Sequence, residues 1–180
     1  MQSKTALFSL SLLLAAAAAF GARSLSDLEP FYGEYQGEAI SDTGGDLDKR
    51  DLRVNIEPRP DGFAVEWISV SRRANGEIRR RQQEIEFVPT GRKDIFRSAM
   101  RKDMFGNRIP LDPMSGDPYV WARIEGQTLI VNMLLVLEDG GYELHTYRRT
   151  LIPQGLHLEF TRIREGQVFR TVTGTLRRVR

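Results

Sequence analysis

From Tyr32 onward, hydrophobic and polar positions alternate with the period that sends successive side chains to opposite faces of a strand. Ten runs of this kind are predicted as strands: Tyr32–Ile40, Leu52–Pro58, Phe63–Arg73, Ile78–Val88, Asp94–Met100, Tyr119–Ile124, Thr128–Leu137, Tyr142–Ile152, Leu156–Arg164 and Val168–Arg178. They are rich in Val, Ile, Thr, Tyr and Phe, which suit a pleated, half-buried surface. Most connections are short and carry turn chemistry, as in Pro60-Asp61-Gly62, Asn75-Gly76, Asp139-Gly140-Gly141, Gln154-Gly155 and Glu165-Gly166. Such turns leave no room for crossover helices, so successive strands run antiparallel. A row of this many strands exposes long edges unless the sheet closes on itself. The expected fold is all-β, an antiparallel up-and-down β-barrel of about 8–10 strands. A two-sheet sandwich is the alternative. Leu25, Leu28 and Phe31 are spaced to cover one face of a short N-terminal helical turn, stopped by Pro30. Two connections are longer, Ser41 to Asp51 and Arg101 to Pro118, and read as surface excursions or lids.

The alternation also predicts which side chains point inward. Leu52, Val54 and Ile56 share a face, as do Phe63, Val65 and Trp67, then Leu129, Val131, Met133, Leu135 and Leu137. Leu156, Leu158 and Phe160 form a fourth set, and Val168, Val172 and Leu176 a fifth. Ile130, Leu134 and Val136 make the reverse side of one strand apolar, with the N-terminal turn as the natural cover. Some inward-phase positions are polar. Arg148 is in phase with Tyr142, Leu144 and Thr146; Arg162 follows Phe160; Arg170 lies between Val168 and Val172. A buried cation needs a partner. Three arrangements are open: heads in water at the barrel rim, an ion pair with Glu84 or Glu86, or contact with the head group of a bound acidic amphiphile. Tyr35, Phe63, Trp67, Phe87, Trp121, Tyr142 and Phe160 supply an aromatic lining. The candidate ligand-binding residues are Arg148, Arg162, Arg170, Trp67, Phe87, Tyr142 and Phe160.

The start of the chain follows a different pattern. Lys4 precedes an apolar stretch from Leu7 to Phe20 and a small-residue exit at Gly21-Ala22. This layout reads as a cleaved secretory signal peptide over residues 1–22, too short to span a bilayer comfortably. Residues 23–180 then form a single barrel domain, expected in the periplasm. The sequence has no cysteine, which excludes disulfides, thiol chemistry and a lipid-modified cysteine, so the core alone must hold the domain. Losing Lys4 from the 26 basic residues leaves 25 against 24 acidic ones. That near-neutral balance gives no reason to expect a nucleic-acid partner. Arginine dominates the bases, 22 Arg to 4 Lys, and its rigid fork of donors suits carboxylates and phosphates. Arg72-Arg73 and Arg79-Arg80-Arg81 make one hairpin basic, either a solvated tip or a peripheral contact with an anionic membrane.

Signatures of chemistry are sparse. His145 and His157 are the two histidines, both in outward phases, and with Glu143 or Glu159 they offer at most a weak surface metal site. Asp42, Asp46 and Asp48 lack the spacing of a calcium loop. No nucleophile elbow and no phosphate-binding glycine loop occurs. No catalytic residue, metal or cofactor is assigned. An enzyme would need a clustered base or nucleophile at the barrel mouth.

The plan resembles the calycin superfamily, the lipocalins and fatty-acid-binding proteins. Its local support is Phe31-Tyr32-Gly33-Glu34-Tyr35, similar to the lipocalin first-strand signature with Tyr35 where a tryptophan is usual. The resemblance implies a helical turn before that strand and an arginine of the last strand, Arg177 or Arg178, packed across the aromatic ring. Gly33–Ile40, Pro110–Met114, Gly116–Arg123 and Glu138–Glu143 also resemble an uncharacterised family of exported proteins, chiefly alphaproteobacterial. The expectation is a non-enzymatic periplasmic protein holding a small hydrophobic or amphiphilic ligand in a barrel cavity. The alternative is an interaction domain with a packed core and no ligand.

Overall fold

The computed structural model describes residues 25–72, 76–102 and 108–180. The expected signal peptide lies outside them, as does the tip of the basic hairpin from Arg73 to Asn75. Twelve strands follow a 3-10 turn at Glu29–Phe31: β1 (Gly33–Thr43), β2 (Asp46–Arg59), β3 (Gly62–Arg72), β4 (Ile78–Pro89), β5 (Ile95–Ser98), β6 (Arg101–Lys102), β7 (Arg108–Ile109), β8 (Tyr119–Glu125), β9 (Thr128–Val136), β10 (Tyr142–Ile152), β11 (Gly155–Arg164) and β12 (Gln167–Arg178). Ten of them close into an antiparallel barrel in the order β1-β12-β11-β10-β9-β8-β5-β4-β3-β2, with β2 returning to β1. The remaining pair, β6 and β7, forms a small ladder of its own in the long excursion, ahead of a second 3-10 turn at Pro113–Ser115. This all-β closed barrel is consistent with a calycin-like fold.

Several expectations are corrected. The stretch from Ser41 to Asp51 is strand, not a long connection: Ser41 pairs with Asp48 and Thr43 with Asp46 around Gly44-Gly45. Those two glycines have φ of 62° and 98°, the left-handed region a tight hairpin requires. The charged residues that read as loop occupy ladder positions, because ladder bonds join backbone groups whatever the side chains are. Pro30 lies within the first 3-10 turn rather than ending it, a place where its missing N–H costs nothing. That turn does not cover the outer face of β9. Leu28 and Phe31 are fully buried in the interior cluster, and the turn at Pro113–Ser115 contacts β9 instead. Val168 is exposed because the β11–β12 register shifts between Arg162 and Ile163, and such a bulge breaks the alternation.

Successive hairpins alternate between the two ends of the barrel. The end that holds the N-terminal turn is packed. Phe63 stacks on Phe87 at 5.0 Å and meets Phe96 edge-on at 5.1 Å, amid Leu28, Phe31, Tyr35, Ile56, Leu156 and Leu176. Tyr35 donates its hydroxyl to the Phe31 carbonyl at 2.8 Å. Arg178 donates to the Pro30 carbonyl and to the Tyr35 oxygen, with its guanidinium 5.2 Å from the centre of that ring. Of the two arginines the resemblance implied, Arg178 makes this contact. The seal ties the turn, the first strand and the last strand together.

Candidate functional site

The other half of the barrel is hollow. A cavity of about 620 Å3 opens to solvent there, within the range of small-molecule sites. Leu52 and Val54 of β2, Met133 and Leu135 of β9, Leu158 of β11 and Val172 of β12 form its apolar wall. Three aromatic rings cross it. Trp67 of β3 meets Tyr147 of β10 at 5.1 Å, and Tyr147 meets Phe160 of β11 at 4.6 Å.

Among the residues expected at the site, Trp67, Phe160, Arg162 and Arg170 lie in the cavity wall. Phe87 lies in the packed cluster toward the closed end. Tyr142 and Arg148 lie outside the barrel, Arg148 within 4.0 Å of Glu125 and Glu159 on the surface. Tyr35 belongs to the seal. Phe63 belongs to the packed end, and Trp121 lies on the outer face beside Tyr119 at 5.8 Å.

The displacement of Arg148 follows from the phase of β10. Leu129, Val131 and Met133 point inward on β9, and they pair with Arg149, Tyr147 and His145. Paired residues share a face, so the inward residues of β10 are Glu143, His145, Tyr147 and Arg149. Tyr142, Leu144, Thr146 and Arg148 point outward. His145 is therefore inside, contrary to expectation, while His157 is on the outer face opposite Thr150. The two histidines do not share a face and form no common metal site.

Arg149 is the residue that sequence reasoning missed. It is 1% exposed, one inward position deeper than Tyr147. Its guanidinium carbon stands 5.5 Å from the Trp67 ring centre and 5.4 Å from that of Tyr147. Its Nε and Nη1 are buried with no hydrogen-bond partner, and no carboxylate pairs with it among the described residues. Burial pulls the guanidinium down to about 10, with Tyr147 opposing the shift, so it remains cationic at neutral pH. A buried cation without a counter-charge is costly, and this one lines an open cavity.

Toward the mouth the charges are partly matched. Glu143 is 4% exposed. It accepts from Arg162 Nε at 2.8 Å and Nη2 at 2.5 Å, and contacts His145 Nε2 at 3.1 Å. The bidentate Arg162 bonds hold its carboxyl below the usual range, against the opposing effect of burial. Burial pushes the His145 imidazole down; the contact to Glu143 opposes this and Arg162 adds to it. The expected partners Glu84 and Glu86 instead face outward, toward Arg59. Arg50 pairs with Asp48 at 2.8 Å, and Arg170 donates to Ser41 Oγ at 2.8 Å. Arg81 makes no ion pair or hydrogen bond among the described residues, though Arg50 and Arg162 lie near enough to push its guanidinium pKa down, after burial and Arg79.

No family model matches this sequence, and no curated protein matches it. Among solved structures, the barrel is similar to an S-type phycobiliprotein lyase from Guillardia theta at 9% identity, with 91% of this chain and 97% of that chain covered and a TM-score of 0.39.

Proposed function

We propose that this protein is a non-enzymatic binder of a small amphiphilic molecule, which it holds in the open half of the barrel with an acidic group against Arg149. The observation that carries this reading is the unpartnered, fully buried guanidinium in the wall of a 620 Å3 cavity. An anionic group in the cavity supplies the missing counter-charge, and a charge-assisted pair with a largely desolvated guanidinium is strong. Trp67, Tyr147, Phe160 and Leu158 give the apolar body its surface. A packed interaction domain leaves both the hollow and the orphaned cation without a purpose.

In the same reading, residues 1–22 export the protein and the barrel works in the periplasm, as a member of the uncharacterised exported family its sequence resembles. The ligand enters at the open end. There the hairpins expose Leu47, Ile78, Val168 and Phe169, with Arg79 and Arg80 on one of them, which suits a peripheral contact with an anionic membrane. Nucleic acid has no part in it.

The test is to express the full chain in a bacterium, recover the periplasmic protein without lipid or detergent, and weigh it by native mass spectrometry before and after solvent extraction. A stoichiometric acidic amphiphile, absent from the Arg149→Gln variant, is the expected result. A clean ligand-free mass, with no uptake of added long-chain acids, overturns the proposal in favour of a packed interaction domain.

A further inference from the structure

Arg149 is not the only cation left over in the cavity. Arg50, Arg81, Arg162 and Arg170 converge on the mouth from β2, β4, β11 and β12. Two carboxylates answer them: Asp48 takes Arg50 and Glu143 takes Arg162. Arg81 has no partner among the described residues, and the hydrogen bond of Arg170 goes to a neutral hydroxyl. The four repel one another: the Arg170 guanidinium is lowered first by burial, then by Arg50 and Arg81, and further by Arg162, while Asp48 opposes. A fold that brings two unanswered cations to one opening retains a cost unless something anionic sits between them.

The two cationic places are distinct along the barrel. Arg149 pairs with Leu158, and His145 pairs with Arg162. The step between these pairs is four residues, about 13 Å at strand rise. The Tyr147–Phe160 pair lies between them, so the stretch that separates the cations is aromatic and apolar.

From this arrangement we propose that the ligand is a dianion: an elongated amphiphile with one acidic group on Arg149, an apolar middle against Tyr147, Phe160 and Trp67, and a second acidic group held at the mouth by Arg81 and Arg170. This rests on the binding role proposed above and adds the class of molecule. A single-headed acid satisfies Arg149 and leaves the mouth cations unanswered. A double-headed acid satisfies both places.

Titration calorimetry of the delipidated protein with dodecanedioic acid and with dodecanoic acid separates these cases. The diacid is expected to bind about tenfold more tightly, the gain of one partly solvated charge-assisted pair, with an advantage that shrinks as salt rises. In the variant carrying both Arg81→Gln and Arg170→Gln, whose side chains lie at the solvated mouth, the diacid falls to the affinity of the monoacid and the monoacid is unchanged. Arg149→Gln weakens both. Equal affinities in the native protein, or equal losses for both acids in the mouth variant, overturn the second subsite and leave the single-headed reading in place. Failure of both acids to bind removes the binding role itself.

Discussion

At the scale of single residues, Arg149 sets stability against the proposed binding role. Two of its guanidinium nitrogens, Nε and Nη1, are buried with no acceptor, and two ring faces offset part of the loss. Arg149→Met keeps the stem and removes the charge, so the ligand-free protein is expected to gain about 1 kcal/mol, since an unsatisfied buried charge costs more than ring contacts return. Urea unfolding of the delipidated variant checks this, and a clear loss of stability makes the arginine structural. The Glu143–His145 pair sets the response to acid. Both groups have folded pKa values below their ordinary 4.5 and 6.5. A depressed value means the unfolded chain takes up the proton first, so stability is full above the ordinary value and is lost as pH falls through the folded one. The urea midpoint is therefore expected to fall as pH drops below about 6.5, then further below about 4.5. His145→Gln flattens the upper part of that fall and leaves the lower part.

At the scale of elements, most of the barrel was legible in the sequence, and the exception is instructive. The ten strands, their antiparallel order and the inward sets on β2, β3, β9 and β11 follow from alternation and turn chemistry. On β10 the apolar residues Tyr142 and Leu144 fall on the outer face, while the inner face carries Glu143, His145, Tyr147 and Arg149. A half-polar cavity inverts the usual sign of the pattern, because polar groups that line a hollow look like surface in the sequence. The missing signal was the loop. Five residues separate Val136 from Tyr142, which pair directly, and an odd loop keeps odd positions opposite odd ones. The clear phase of β9 then fixes that of β10, and a slip of one residue would have exchanged its faces. The absence of native cysteine makes this testable: Arg148→Cys is expected to react fast with a bulky maleimide in the folded protein, and Tyr147→Cys slowly. Equal rates contradict the assigned phase. Strand contacts set another limit. A Cβ on Gly62 would stand 1.8 Å from the Phe87 carbonyl oxygen, so Gly62→Ala forces β3 from β4 and should cost about 1–3 kcal/mol or more in urea unfolding.

At the scale of the whole molecule, the barrel divides its labour between its ends. One end is sealed by the Tyr35–Arg178 contact and an aromatic cluster, and stability resides there. The other end gives up packing for a hollow, and the arginines around it repel one another. A ligand that binds only the folded state raises stability by mass action. The thermal midpoint is therefore expected to rise with the concentration of a long-chain diacid in the native protein and to stay level in Arg149→Gln. An equal rise in both would place the acid elsewhere on the molecule.

The two tryptophans divide in the same way. Trp67 is in the cavity wall under the Arg149 cation, and Trp121 is on the outer surface beside Tyr119. Replacing Trp121 with phenylalanine leaves one indole, positioned where the proposed ligand would change both its neighbouring charge and its exposure to water. The emission colour and quenching of that single fluorophore then report occupancy in real time, without a label. Iodide, drawn in by the surrounding guanidinium groups, would dim it in the empty barrel and lose access once the hollow is filled.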